Sequence, residues 1–489
     1  MGRPFTAPRP AEYADVPPAV RPAVRPTPAA ALPAGPRSVV PGRTTLRFVR
    51  DTPRFLMDLR RRHGAASAFE LRGELFVALF APAMVHDVLV AKQHDFVKGV
   101  GFARMRKVLG EGLLTNEEPV HLRHRRMMQA PFHHSRLDDY AALMATLTAE
   151  ELDRWTPGTV LPLAPTMMRL TLEIVARTLF GTGAAHDAAR IGAAMDVAID
   201  RIERTMLPGL DRFDHSSLPW FRAFARASDE LAAIAERLVR ERRAQGVTAG
   251  DVATARKEED LLGLLLALRD EDGSSFSDDE VRDEALTLIL SGHETTANTL
   301  TWAFSYLATD PEVRLDLERE ADAQAWLMEG RPPTVEELLA TPVASAVLNE
   351  TLRLAPPVWV APRRALRDVD VQGVGLPAGA HVIVSQYVTH RDPAIFADPD
   401  RFRPDRWVEG FERGLPRGAY VPFGAGTRRC LGDQFALLEG RIILLAVARR
   451  FRLVPTGRRP LPRAQPRATY RARGPVPVRV EPRQAALRT

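Results

Sequence analysis

Cysteine is the scarcest chemistry-bearing residue of this sequence: 489 residues carry one, Cys430. A lone thiol cannot close an intrachain disulfide. It also cannot supply the several thiolates of an iron–sulfur cluster or a structural zinc site. Long apolar runs are missing too. The run at 75–85 is far too short to span a bilayer, which takes about 20 apolar residues. The first 41 residues hold no apolar stretch and are dense in Pro, Ala and Arg. We expect no signal peptide and no transmembrane anchor, a reducing cytoplasmic location, and a disordered Pro-rich segment at 1–41. Charge of one sign is nearly absent as a global feature. The net charge is +6, but the stretch from Arg449 onward carries +11, which leaves −5 elsewhere. No recognisable nucleic-acid module accompanies it, so these arginines read as solvated residues on strands, and no nucleic-acid partner is expected. The alternation at 468–480 around Gly474-Pro475 predicts a hairpin.

What the chain does contain is organised around 423–432, Phe-Gly-Ala-Gly-Thr-Arg-Arg-Cys-Leu-Gly. Three glycines let this backbone turn tightly and approach something flat. Arg428 and Arg429 place positive charge beside the sulfur, and a helix follows from about 431. A helix N-terminus next to a thiol favours the thiolate. Such a thiolate, with Phe423 nearby, meets the requirement of one axial bond to a haem iron.

Three further stretches carry chemistry. At 118–128 a basic helix places His121 and Arg125 on one face. This is either a solvated basic face or a clamp for an anion. From the capping-box signature at 277–280, helical periodicity runs to about 309. A mostly apolar helix of that length must cross the middle of the protein. Its centre reads Ser291-Gly-His-Glu-Thr-Thr296. Glycine and paired threonines weaken a helix. Either the hydrogen-bond ladder opens there, with Glu294 and Thr295 at the opening, or the glycine serves a close helix crossing. Finally, Glu350 and Arg353 form an i,i+3 pair among leucines, which suggests a buried pair needing further partners.

Together these stretches resemble the cytochrome P-450 family. Phe423, Gly426, Arg428, Cys430 and Gly432 fit its cysteine signature. Glu350 and Arg353 match its Glu-x-x-Arg motif, Arg406 the element that joins that pair, and 291–296 its oxygen-binding groove. The resemblance covers about residue 42 to the end, with Ser291 in place of the usual Ala or Gly. It implies a mainly α fold: a large helical domain with a minor β-rich part, and haem b between the long central helix and the cysteine loop. It implies Cys430 as the metal ligand, and His121, Arg125, Arg363 and Arg428 at the haem propionates, which favours the anion clamp. Phe423 and Gly432 complete the cofactor loop. Glu294 and Thr295 become the proton-delivering catalytic pair, and Glu350, Arg353 and Arg406 a structural triad. Phe102, Leu290, Ser291, Trp359 and Ala361 are the expected substrate contacts. They are mostly apolar, so a fatty acid, terpenoid, carotenoid or similar hydrophobic substrate is expected. No flavin segment is visible. Electrons for O2 activation should therefore come from a separate ferredoxin or flavodoxin with an NAD(P)H-dependent reductase, docking near Arg429 and Arg441. Retention of Glu294 and Thr295 argues against a purely peroxide-driven enzyme.

Overall fold

The computed structural model describes residues 32–36, 42–181, 190–195, 197–198, 219–245, 260–457 and 459–483. The Pro- and Gly-containing link at 206–219, which the sequence offers as a candidate flexible lid, lies almost wholly outside the described residues, as does most of the Pro-rich segment. Gly35 already lies against Ala68 of the first strand, so the folded part begins ahead of residue 42.

The central helix, Asp278–Leu307, has the capping box read from its sequence. Ser277 accepts from the Glu280 amide while the Glu280 carboxylate accepts from the Ser277 amide. From Val281 onward nearly every residue is buried, and helices Leu163–Phe180, Pro219–Ala244, Pro342–Leu354 and Asp433–Arg450 all pack on it. Its ladder does not open at 291–296. The helix is continuous there. The Ser291 and Thr295 hydroxyls each donate to the carbonyl four residues earlier, at 2.7 Å. Gly292 is explained by the crossing instead. A Cβ at that position would come within 2.5 Å of a Val175 methyl on helix Leu163–Phe180.

A five-stranded sheet flanks this helical body, in the order Ala66–Leu71, Glu74–Leu79, His381–Val384, Ala361–Ala365, Phe96–Lys98. Glu74–Leu79 and His381–Val384 run parallel, and the other neighbours are antiparallel. The turn Arg72-Gly73, both residues at positive φ, joins the first pair.

The tail does not form the hairpin that its alternation predicts. Tyr470–Ala472 turns back on Ala464–Pro466. Pro477–Pro482 leaves for another sheet, between Val160–Pro162 and Phe451–Pro455. Its arginines are also less solvated than expected. Arg452 makes two bonds to Glu318 at 2.8 and 2.9 Å, and Arg449 and Arg483 pair with Asp322. Glu318 and Asp322 of helix Pro311–Ala323 thus hold three arginines of the basic tail. Among the described residues, no helix is long and apolar enough to cross a membrane.

Candidate active site

The cysteine loop is fixed from three sides. The Cys430 amide donates to the Phe423 carbonyl at 2.8 Å. The Thr427 amide donates to Gln93, and the Val421 amide to the buried His390 ring at 2.9 Å. Gly426 has φ 70°, and a Cβ there would lie 2.1 Å from the Leu89 carbonyl, so the loop can pack only with glycine. Cys430 itself is exposed, yet protein surrounds it closely enough for burial to push its thiol up to about 11. The sequence reading had the nearby arginines and helix lowering this pKa. Burial outweighs the help of Arg125 and Arg429.

Around the loop lies a cluster of cations. Arg428 binds Glu117 through Nη2 at 2.5 Å, while its buried Nη1 has no partner. The Lys98 amide donates to the same Glu117 carboxylate at 2.6 Å. Lys98 is the register partner of Arg363 across two strands. Lys98 is lowered to about 7, chiefly by burial, with the charges of Arg428, Arg363 and Arg106 adding to the fall against the pull of Glu117. Burial takes Arg363 down to about 10 and His121 to about 4. Arg125 donates to the Arg429 carbonyl at 2.6 Å and feels the Cys430 sulfur. The site therefore crowds basic groups around Glu117, with Glu118 on the His121 ring at 3.1 Å, and leaves a buried guanidinium nitrogen without an acceptor. That is the complement of a dianionic ligand, and the two propionates of a haem fit it. Lys98 escaped the sequence reading. Its one signal was indirect, a lone lysine in a strand that pairs with the arginine strand.

The central helix supplies the other components. Ser291 is its one exposed residue between Val281 and Leu307, and Thr295, one turn on, is partly open. Glu294 is 3% exposed. Leu290 and Ala361 are buried, and Phe102 is partly buried on helix Val100–Leu109. Trp359 belongs to the buried cluster that also holds Phe55, Trp302 and Tyr470, and its indole donates to the Arg467 carbonyl at 2.9 Å. The neighbouring Val358 is 44% exposed.

Glu350, Arg353 and Arg406 meet. Two bonds of 2.8 Å join Glu350 to Arg353, both fully buried, and Arg406 reaches Glu350 at 3.2 Å. The Trp407 indole and the Arg403 amide fill the remaining acceptor sites of Glu350 at 2.8 Å. Arg429 and Arg441, expected to meet a partner, are engaged within the chain, by Asp433 at 2.6 Å and by the Ser345 hydroxyl at 2.9 Å. No further grouping of His, Cys, Asp and Glu suited to a metal occurs among the described residues.

The family model for cytochrome P450 matches residues 35–477. The chain belongs to the cytochrome P450 family. Membership brings a haem iron and the activity of a monooxygenase. This P450 is 36% identical over 378 residues to the cyclooctat-9-en-7-ol 5-monooxygenase of Streptomyces melanosporofaciens, covering 76% of the chain and 79% of that relative. It is 32% identical over 375 residues to the pentalenene oxygenase of Streptomyces avermitilis, covering 76% and 80%. Among solved structures, a cytochrome P450DA haem domain superposes with a TM-score of 0.81 at 24% identity, covering 94% of this chain and all of that one. A retinoic acid-bound cyanobacterial CYP120A1 follows at 0.80 and 24% identity, covering 93% and 99%. At that identity the two superpositions establish the fold alone, and it is the mainly α fold with a small β part that the sequence implied.

Proposed function

We propose that this P450 hydroxylates a terpenoid or similarly hydrophobic substrate in the cytoplasm, using haem b, O2 and electrons from a separate ferredoxin or flavodoxin with its NAD(P)H-dependent reductase. One observation carries the cofactor reading. The lone thiol is accessible, and two residues earlier in the same loop Arg428 enters a cation cluster with an unfilled donor. One dianionic group held through the Cys430 thiolate would satisfy both. Terpenoid is the favoured class because two relatives are named for cyclooctat-9-en-7-ol and pentalenene. A reducing compartment suits the single cysteine.

When bound, the haem supplies an electron-rich iron for oxygen cleavage. The chain does the rest. Cys430 ligates from a loop that Gln93 and His390 hold in place. Gly432 and Phe423 bracket the thiolate in sequence. Lys98, His121, Arg125, Arg363 and Arg428 anchor the carboxylates. The Thr295 hydroxyl orients water at the accessible face of the continuous central helix, and Glu294 passes protons to it. Phe102, Leu290, Ser291 and Ala361 form the apolar wall, and Val358 is a better candidate than Trp359 for its fifth member. The test is a screen of hydrophobic metabolites for the low-to-high-spin shift of the Soret band. Cyclic terpenoids should give it, and Val358→Trp should weaken it at least tenfold. A shift from fatty acids alone would overturn the terpenoid reading, and an indifferent Val358→Trp would overturn the wall.

A further inference from the structure

Glu294 is held by a residue that no motif contains. The Thr469 hydroxyl lies 2.6 Å from Glu294 Oε1, and Asn298 Nδ2 lies 3.2 Å from that hydroxyl. All three side chains are buried, at 3%, 8% and 6% exposure for Glu294, Thr469 and Asn298. The direction of these bonds is set by chemistry. The Asn298 amide nitrogen can only donate, so the Thr469 oxygen accepts from it. A hydroxyl has one proton, which Thr469 must then donate to Oε1. Oε1 is thereby fixed as an acceptor, and Oε2 is left as the oxygen that can carry a transferable proton.

Thr469 stands at the end of a small hairpin formed by Ala464–Pro466 and Tyr470–Ala472. That hairpin is clamped to the segment that exposes Val358. The Tyr470 amide donates to the Pro357 carbonyl, and the Trp359 indole to the Arg467 carbonyl, each at 2.9 Å. The Tyr470 ring stacks on Trp302 of the central helix, with centroids 5.8 Å apart. Arg471 of the same hairpin approaches Glu294 Oε1 at 3.9 Å. Carboxylate and apolar wall are therefore joined through one rigid piece.

We propose that Thr469 is a positioning residue for proton delivery: its hydroxyl, polarised by Asn298, orders the Glu294 carboxyl so that Oε2 donates. This rests on the reading of Glu294 as the proton-passing acid. The test uses the haem-loaded full chain with a plant-type ferredoxin and its reductase. NADPH consumption is followed from pH 6 to 9 in H2O and D2O, and reduction alone is followed by carbon monoxide trapping. Thr469→Val should slow consumption about tenfold, the size of one hydrogen bond to a charged group. It should also raise the solvent isotope effect, displace the pH profile and leave reduction unchanged. Thr469→Ser should restore all of these. Glu294→Gln should be slow by itself, and adding Thr469→Val should slow it no further. The urea midpoints of the same four proteins should be non-additive, a readout independent of turnover. If Glu294→Gln is slow while Thr469→Val keeps the parent rate and pH profile, the inference fails and the role of Glu294 stands. If Glu294→Gln is itself without effect, that role falls and the inference with it.

Discussion

Lys98 and Glu350 show two ways for a buried ionic residue to be tolerated, and each has a measurable consequence. Glu350 is satisfied completely, by two guanidinium groups, an indole and an amide. Removing one partner leaves a buried charge, so Arg353→Leu should cost about 3–5 kcal/mol in urea unfolding and abolish haem loading. The Lys98 ammonium donates to the Leu113 and Asn116 carbonyls at 2.9 and 2.5 Å, but only Glu117 opposes the surrounding cations in charge, and its pKa falls to about 7. The unfolded chain keeps the ordinary value near 10.4. Between about pH 7 and pH 10 the unfolded state therefore binds more protons than the folded state, and this residue's contribution makes the haem-free protein more stable as pH rises through that window. Two propionates restore its charge. Haem addition at pH 8 should then put about one proton on Lys98 while Cys430 gives one up on becoming a thiolate, so the net exchange should be near zero, and Lys98→Met should turn it into a release of about one proton, visible with an indicator dye in weak buffer. The motif residues of this site were legible because they recur at fixed spacing. Lys98 and Thr469 were not, because what defines each is a neighbour far away in sequence: Arg363 across a strand pair and Glu294 on the central helix.

Among the elements, the helices were the easiest to read. Periodicity of 3.6 and a capping box gave the central helix to within a few residues of its observed bounds, Asp278–Leu307. The purpose of Gly292 was harder, since a weak spot and a close crossing call for the same residue. The structure separates them by geometry, and mutation can do the same. Gly292→Ala gains up to about 1 kcal/mol of helix propensity but meets a Val175 methyl at 2.5 Å, and overpacking of that kind costs about 1–3 kcal/mol. We expect a net loss of about 1 kcal/mol in urea unfolding. In a Val175→Ala background the clash is gone, and the same substitution should stabilise. The strands misled because alternation reports a half-buried ribbon and not its partner. Gly474-Pro475 has the composition of a hairpin turn, yet its flanking strands join different sheets.

At the scale of the molecule, one strand binds distant parts of the chain. Pro477–Pro482 pairs with Val160–Pro162 on one side and Phe451–Pro455 on the other, and Val478 and Val480 point into the main core. Val480 is fully buried, so Val480→Ala should cost about 1–3 kcal/mol and lower the urea midpoint without altering the Soret spectrum. The closing of this sheet also sets an order of events. Val160–Pro162 is synthesised long before the strand that completes it, and Glu294 long before the hairpin that bears Thr469. During translation the helical body can assemble early, but its acid stays untethered and its sheet incomplete until residues 464–482 have emerged. A nascent chain halted ahead of them would have every residue that binds the cofactor and no means of aiming its proton.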